Sequence, residues 1–342
     1  MPTRPQPTET PPPALSVVMP VLNEASEIGP LLEAILSQDA PPGGFEVIVA
    51  DGGSEDRTRE IVRELARNHP HLRLLENPRR RSSAGRNVGA RAARGRFILF
   101  IDGHCRIPRR DYLVRVVELF ESTGADCLCR PQPLDELAEG AWPRAIAAAR
   151  HSPLGHNVAS DIYGGQAGFT DPRSAGAAYT KACFEALDGY DERFDACEDV
   201  EFNCRVDEAG LRSYLHPDLT IHYRPRSSPG ALFRQMFRYG RGRARLMARH
   251  PRERPWVLIG LSVLAVVAVA VMVGSGWETT ASLIGLGIFS WLFITALEAL
   301  RLSGRATEIP RIILAFGAIH SGLLAGFLRG LAEAPKFRAP RD

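Results

Sequence analysis

Short apolar runs alternate with longer amphipathic stretches over the first hundred or so residues. Short runs bounded by glycine, proline or charge are typical of strands, and apolar residues every three or four positions are typical of helices. The sequence predicts strands at 15–19, 45–50, 72–75 and 97–101, and helices at 27–37, 56–67 and 83–94. Because strands that alternate with helices form βαβ units, we expect a doubly wound α/β sheet with parallel strands here.

The predicted strand at 97–101 ends on Asp102, Gly103 and His104. Its unbroken apolar character is typical of a strand covered on both faces, and parallel sheets bind ligands at the carboxyl ends of such strands. In extended backbone Asp102 and His104 share a side, so together they could hold a divalent cation or a phosphate-bound metal. On these residues alone, a strand that ends in a plain polar turn is the favoured interpretation, so other parts of the sequence must decide.

Polar loops also follow the first two predicted strands, at 20–24 and 51–56. A carboxylate at this edge of a sheet can accept a hydrogen bond from a ribose hydroxyl or a pyrimidine N–H. Either loop alone could be only a turn and helix cap. Their shared position favours a ligand crevice.

The C-terminal part is strongly apolar. Residues 256–276 carry no charge and, at about 1.5 Å per residue, would extend roughly 30 Å as a helix, the thickness of a bilayer core. A second span is predicted at 279–298, and a third apolar segment at 311–328 either spans or lies at the interface. We therefore divide the chain into a disordered Pro-rich tail (1–13), an α/β domain (14–245) and a membrane region (246–342).

Charge and cysteine content refine this picture. The 342 residues carry a net charge of only +3, but arginines are concentrated between residues 224 and 254 and again after the second predicted span. Positive flanks mark the cytoplasmic side, so we expect the α/β domain to face the cytoplasm from the inner membrane. This placement favours a membrane surface over nucleic acid as partner. Six cysteines without paired Cys-x-x-Cys spacing, and no signal peptide, agree with a reducing compartment.

Five segments resemble, in order and spacing, the motifs of family 2 glycosyltransferases with the GT-A fold. They are Pro20–Glu24, Asp51–Asp56, Gly85–Gly89, Asp102–His104 and Glu198–Phe202. The resemblance extends from about residue 15 to 245. It implies a Rossmann-like mixed α/β sheet, here followed by C-terminal transmembrane helices.

The resemblance also implies roles in holding a UDP-sugar donor. Asp51 matches the aspartate that reads uracil, and Pro20 and Glu24 match the loop that holds the uridine. Arg86 resembles the basic residue near the base and the diphosphate.

A divalent cation, Mn²⁺ or Mg²⁺, is the cofactor that the resemblance implies. Asp102 and His104 fall on the Asp-x-Asp metal motif, with histidine in place of the second aspartate. Imidazole suits Mn²⁺ better than Mg²⁺, which prefers oxygen ligands. His222 is a candidate third ligand, because animal mucin-type GalNAc-transferases have an Asp-x-His motif that a downstream histidine completes. A solvent-facing histidine at a strand end is the alternative.

Asp199 matches the catalytic base of the family, at the start of a predicted helix at 199–210. Such a base takes the proton from the acceptor hydroxyl as its oxygen attacks the sugar. Glu198 is then a neighbour that raises the pKa of Asp199 by like-charge repulsion or binds the acceptor. Two acids at a helix start could also be dipole caps.

Gln235, Arg238 and Tyr239 resemble the Gln-x-x-Arg-Trp motif of processive members, where this segment helps to hold the diphosphate and the acceptor. An arginine-rich helix that only contacts anionic lipid is the alternative.

The combined prediction is a multi-pass, membrane-anchored inverting glycosyltransferase that moves a sugar from a UDP-sugar to a hydroxyl of a lipid-linked saccharide. A narrower resemblance, to succinoglycan-type exopolysaccharide glucosyltransferases, favours glucose and a polyprenyl-diphosphate-linked acceptor. A polyprenyl-phosphate sugar synthase and a non-catalytic membrane scaffold are the alternatives. A nicotinamide-dependent oxidoreductase is disfavoured, because the first strand does not lead into Gly-x-Gly-x-x-Gly.

Overall fold

The computed structural model describes residues 11–134, 139–156, 161–260, 263, 267 and 277–337. Within them the N-terminal half alternates strands and helices as predicted, with ends that differ by a few residues. These elements are β1 (Leu15–Val21), α1 (Ile28–Leu36), β2 (Phe45–Asp51), α2 (Thr58–Asn68), β3 (Leu72–Glu76), α3 (Ser82–Ala92) and β4 (Phe97–Phe100).

The following residues complete the sheet with shorter strands. The elements are β5 (Cys105–Arg106), α4 (Tyr112–Thr123), β6 (Cys127–Cys129), α5 (Ala141–His151), β7 (Gly168–Phe169), β8 (Gly176–Thr180), α6 (Lys181–Ala186), α7 (Glu198–Glu208), β9 (Ser213–Leu215) and β10 (His222–Tyr223). The eight-stranded sheet has the order β3-β2-β1-β4-β8-β6-β9-β7, and β8 pairs antiparallel to both β4 and β6. The sheet is therefore mixed, and the predicted GT-A-like α/β fold is confirmed.

Helices cover both faces of the sheet. Helices α1 and α4 pack on one face, and α3, α6 and α7 pack on the other. Helix α3 lies against β1 at Gly89, where a Cβ atom would come within 2.3 Å of Val18 Cγ1. This close approach holds Arg86, on the same helix, near the carboxyl ends of the parallel strands. The six cysteines are free thiols.

Three long helices follow: α8 (Pro229–Arg249), α9 (Trp277–Leu302) and α10 (Ile309–Glu333). Helix α10 runs parallel to α8 in very close contact, because a Cβ atom on Gly326 would lie 2.0 Å from the carbonyl oxygen of Phe237. Helix α9 packs on α10 through Trp291, whose indole N–H donates to His320 at 2.9 Å.

Two described segments, Ala281–Leu302 and Ala306–Phe337, are long and apolar enough to cross a membrane. In the most apolar part of α9, 11% of the residues are buried. In the most apolar part of the segment that contains α10, 39% are buried, because α10 packs on α5 and α8. The predicted span at 279–298 coincides with α9, and the third apolar segment coincides with α10. Most of the span predicted at 256–276 lies outside the described residues.

Candidate active site

The loops that follow β1 and β2 are joined by hydrogen bonds. Ser54 Oγ accepts a hydrogen bond from Asn23 N at 2.9 Å, and Thr58 Oγ1 accepts one from Glu24 N at 2.8 Å. Asn23 has a φ of 56°, a left-handed conformation that asparagine tolerates well. The two polar loops therefore meet at one edge of the sheet, as their shared position in the sequence predicts.

Asp51 is buried at this edge and shapes its own loop. One carboxylate oxygen accepts from the backbone N–H groups of Gly53 and Ser54, both at 3.0 Å, and the other accepts from the Ser54 hydroxyl at 2.5 Å. Pro20 lies beside it on β1, opposite Ala50 of β2. The structure thus places Pro20 and Asp51 on neighbouring strands.

Glu24 reaches from the first loop to the end of β4. Its Oε1 lies 3.0 Å from Nδ1 of His104, and the His104 ring packs edge-on against Tyr223 at 5.8 Å. Burial alone would lower the pKa of His104, but the hydrogen bond to Glu24 and the charge of Asp102 raise it. His104 is therefore oriented by a carboxylate on one ring nitrogen, which leaves Nε2 for another group.

Asp102 has two partners. Arg86 Nη2 donates to one carboxylate oxygen at 2.6 Å, and the Tyr223 hydroxyl donates to the other at 2.7 Å. Burial alone would raise the pKa of Asp102, but Arg86, His104 and Tyr223 together lower it to about 2. Asp102 is consequently a carboxylate at every physiological pH.

Arg86 connects the end of β4 to the start of α7. Its Nη1 donates to Glu198 Oε1 at 2.5 Å, and the same oxygen accepts from the Ser82 hydroxyl at 2.6 Å. The guanidinium also lies over the Tyr190 ring, 5.7 Å from its centroid. One largely buried cation, 11% exposed, therefore lies between two of the predicted site carboxylates.

Asp199 follows Glu198 in the first turn of α7 and is exposed at the crevice. Its Oδ1 accepts from the N–H of Val200 at 2.8 Å, and no described cation forms an ion pair with it. The surrounding protein and the charge of Glu198 raise the pKa of Asp199. An unpaired carboxylate with a raised pKa is suited to accept a proton.

Tyr223, the neighbour of His222 on β10, contacts the predicted metal residue Asp102 through its hydroxyl group. In the pairing of β5 with β10, His222 lies opposite Arg106 and Tyr223 lies opposite Cys105. Within the described ranges, no three His, Cys, Asp or Glu side chains form a group that could hold a metal ion. Sequence reasoning missed Tyr223, since the register of such short strands leaves no sequence signal.

Gln235, Arg238 and Tyr239 lie together on α8, where Gln235 Nε2 donates to the Tyr239 hydroxyl at 3.3 Å. A groove of about 570 Å³ runs along this helix. Its lining combines arginines, aromatic rings, an amide and a methyl group, from Arg226, Ala231, Phe233, Arg234, Gln235, Phe237 and Arg238. None of these three arginines forms an ion pair with any described residue. Since Arg226 follows β10 closely in the chain and Tyr223 of β10 binds Asp102, the groove begins near the crevice.

The strand ends of the mixed α/β sheet and the start of α7 bring Asp51, Asp102 and Asp199 to one crevice. This arrangement defines a GT-A-type glycosyltransferase. The sequence profile "Glycosyl transferase family 2" matches residues 16–176. The succinoglycan biosynthesis protein ExoA of Rhizobium meliloti is 33% identical over 93% of this chain and 94% of its own length. The chain therefore belongs to glycosyltransferase family 2, and it is an enzyme of polysaccharide or glycan biosynthesis.

Two further similarities extend over nearly the whole chain. A dolichyl N-acetyl-alpha-D-glucosaminyl phosphate 3-beta-D-2,3-diacetamido-2,3-dideoxy-beta-D-glucuronosyltransferase of Methanococcus voltae is 22% identical over 93% of this chain and 97% of its own length. A mannosyltransferase of Pyrobaculum calidifontis, solved with GDP-mannose and Mn²⁺, aligns with a TM-score of 0.62 at 20% identity. That alignment covers 94% of this chain and 88% of the other, and it establishes the shared fold.

Proposed function

We propose that the enzyme transfers a sugar, with glucose favoured, from a UDP-sugar to a hydroxyl of a lipid-linked saccharide, with inversion at the anomeric carbon. The observation that carries this proposal is the pair of acids at the start of α7: Glu198 is neutralised by Arg86, whereas Asp199 is exposed with a raised pKa. A single-displacement transfer needs one such unpaired base facing the acceptor.

Each side chain of the crevice has a part in this scheme. Asp199 takes the proton of the acceptor hydroxyl while that oxygen attacks the sugar. Glu198 holds Arg86 beside the departing diphosphate, whose growing negative charge the guanidinium stabilises. Pro20, Glu24 and Asp51 form the nucleotide end of the crevice, where we assign uracil recognition to Asp51.

A divalent cation fits the residues at the end of β4. Ligating histidines usually donate their other ring N–H to a carboxylate, and Glu24 is placed to accept it from His104 Nδ1. Asp102 and His104 would hold the ion together with oxygens of the donor diphosphate, and the solved mannosyltransferase of similar fold contains Mn²⁺. The ion would supply positive charge for the leaving diphosphate. His222 stays a prediction as a third ligand.

Replacing His104 tests this assignment. We expect His104→Asp to retain transfer and to shift the metal preference from Mn²⁺ towards Mg²⁺, because a second carboxylate replaces an imidazole. His104→Ala should raise the metal concentration needed for half-maximal activity. Titration of both variants with each metal measures this, and the control is His69→Ala, a half-buried histidine after α2 whose ring packs against His71. A silent His104→Ala would remove this residue from the metal site.

We assign the groove along α8 to the acceptor lipid. Arg226, Arg234 and Arg238 offer three positive charges that form no ion pair with a described residue, and these suit a phosphate or diphosphate. The phenylalanines beside them suit a hydrocarbon chain. Gln235 lines this groove, and the carbonyl oxygen of Tyr239 accepts a hydrogen bond from the thiol of Cys197, the residue before Glu198. The archaeal relative named above acts, by its name, on a dolichyl phosphate-linked sugar.

The exposed apolar side chains of α9 support the proposal that this helix anchors the enzyme in the cytoplasmic membrane. The predicted span at 256–276 would cross the membrane a second time. Arginines before the first predicted span and after the second support the proposal that the catalytic part lies on the cytoplasmic side. We assign no nucleic-acid partner.

A donor screen tests the proposed function directly. Membranes that contain the full chain and a lipid extract are supplied with radiolabelled UDP-glucose, UDP-galactose, UDP-N-acetylglucosamine and GDP-mannose, and the labelled lipid is measured. We expect label from UDP-glucose and no label with Asp102→Ala. Labelling from GDP-mannose alone would overturn the assignment of uracil to Asp51. Absence of labelled lipid with every donor would contradict the proposed acceptor class.

A further inference from the structure

The acids at the start of α7 are held by a loop with little regular structure of its own. The residue before them, Cys197, has a φ of 61°, which is uncommon for a side chain other than glycine, asparagine or aspartate. Such a conformation persists only where the surrounding structure enforces it. The place of Glu198 and Asp199 therefore depends on what packs against residues 194–197.

Ion pairs from α8 hold this loop through Asp195. Arg241 and Arg245 both bind the Asp195 carboxylate, the latter at 2.5 Å. Arg245 is buried, and its other terminal nitrogen binds Glu333 on α10 at 2.5 Å. One guanidinium thus joins the loop before the catalytic helix to the last turn of the C-terminal helix.

Close packing reinforces these ion pairs. A Cβ atom on Gly242 would lie 2.8 Å from both Ala196 O and Cys197 Sγ, so α8 presses directly on the loop. Phe194, fully buried, packs edge-on against Phe337 at a centroid distance of 5.1 Å. The loop is thus clamped between α8 and the segment that follows α10.

We infer that Arg245 is a positioning residue for sugar transfer: supported by Glu333, it holds Asp195 and thereby sets the place of Asp199 against the acceptor. The inference rests on the proposed role of Asp199 as base. Its consequence is that α10, which sequence alone assigns only to the membrane region, takes part in ordering the active site. A 1 Å displacement of a reacting group can cost about a hundredfold in rate.

The test compares variants of the full chain in membranes, using kcat, the donor KM and UDP affinity. We expect Arg245→Gln to lower kcat about 10- to 100-fold while the donor KM and UDP affinity stay unchanged, because the nucleotide end of the crevice is on other loops. Arg245→Lys should restore part of the rate, since it keeps one charge for Asp195. Glu333→Gln should lower kcat less. The control is Arg329→Gln, which removes the exposed partner of Glu333 and should leave kcat unchanged.

A double variant separates positioning from general stability. If Arg245 acts through Asp199, Arg245→Gln combined with Asp199→Asn should be no slower than Asp199→Asn alone. Multiplying effects, or an unchanged kcat in Arg245→Gln, would overturn the inference. An active Asp199→Asn would instead refute the proposed base, whatever the Arg245 variants do. If Arg245→Gln fails to fold, Glu333→Gln tests the same inference while Arg245 is intact.

Discussion

Asp199→Asn is expected to lower kcat for sugar transfer by about 10²- to 10⁴-fold, the usual contribution of a general base. The amide keeps the size of the side chain but cannot take a proton. Binding of UDP and of the donor should be unchanged, because Asp199 forms no hydrogen bond or ion pair with the described residues of the loops after β1 and β2. Transfer rates measured in membranes, alongside UDP titration of the purified protein, check both statements.

The matched control is Asp207→Asn, an exposed carboxylate two turns further along the same helix, which should leave kcat unchanged. The outcome also separates two acceptor classes. A polyprenyl phosphate is already an anion and needs no base, so a synthase of that kind would retain most of its rate in Asp199→Asn. Retained activity would therefore indicate that the acceptor is a phosphate and not the proposed hydroxyl.

The pH dependence of kcat/KM gives an independent test of Asp199 as the catalytic base. A base must be deprotonated to act, so the rate should fall as the pH drops through the pKa of Asp199. Because desolvation by the surrounding protein and the charge of Glu198 raise the pKa of Asp199, the acidic limb should lie above the range of an ordinary aspartate. Glu198→Gln removes the like charge and should move the limb to lower pH. A limb that does not move would show that another group titrates.

The parallel half of the sheet could be predicted from sequence because its strands are long, apolar and separated by amphipathic helices. The antiparallel half could not, since β6, β7 and β9 are too short for periodicity to mark them. In the same way, the loops at 20–24 and 51–56 could be placed together because topology alone brings strand ends to one edge.

The sequence carries too little information to predict contacts between distant segments. The pairing of Glu24 with His104, and of Asp195 with Arg245, depends on how loops and helices pack after the sheet has formed. Apolar composition likewise predicts α10 as a membrane segment, but not the glycines that fit it against α8. Arg86 could be placed near the diphosphate by resemblance, whereas its position between Asp102 and Glu198 required the structure.

Arg86→Gln is expected to abolish detectable transfer and to destabilise the protein by about 3–5 kcal/mol, the usual cost of removing one partner from a buried ion pair. Arg86 and the Glu198 side chain are 11% and 9% exposed, so water cannot replace the lost cation. Without it, the pKa of Asp102, now about 2, should rise. Thermal unfolding in detergent and the membrane transfer assay measure the two effects.

The matched control is Arg91→Gln on the same helix, where the side chain is 67% exposed and its only ion pair with a described residue, Glu192, is long at 3.9 Å. Its unfolding temperature and rate should match those of the parent. Arg86→Gln combined with Glu198→Gln should regain part of the stability, because one uncompensated carboxylate disappears, but none of the activity, because the cation beside the diphosphate is still missing. If Arg86→Gln behaved like Arg91→Gln, Arg86 would be neither the electrostatic centre of the crevice nor a partner of the leaving diphosphate.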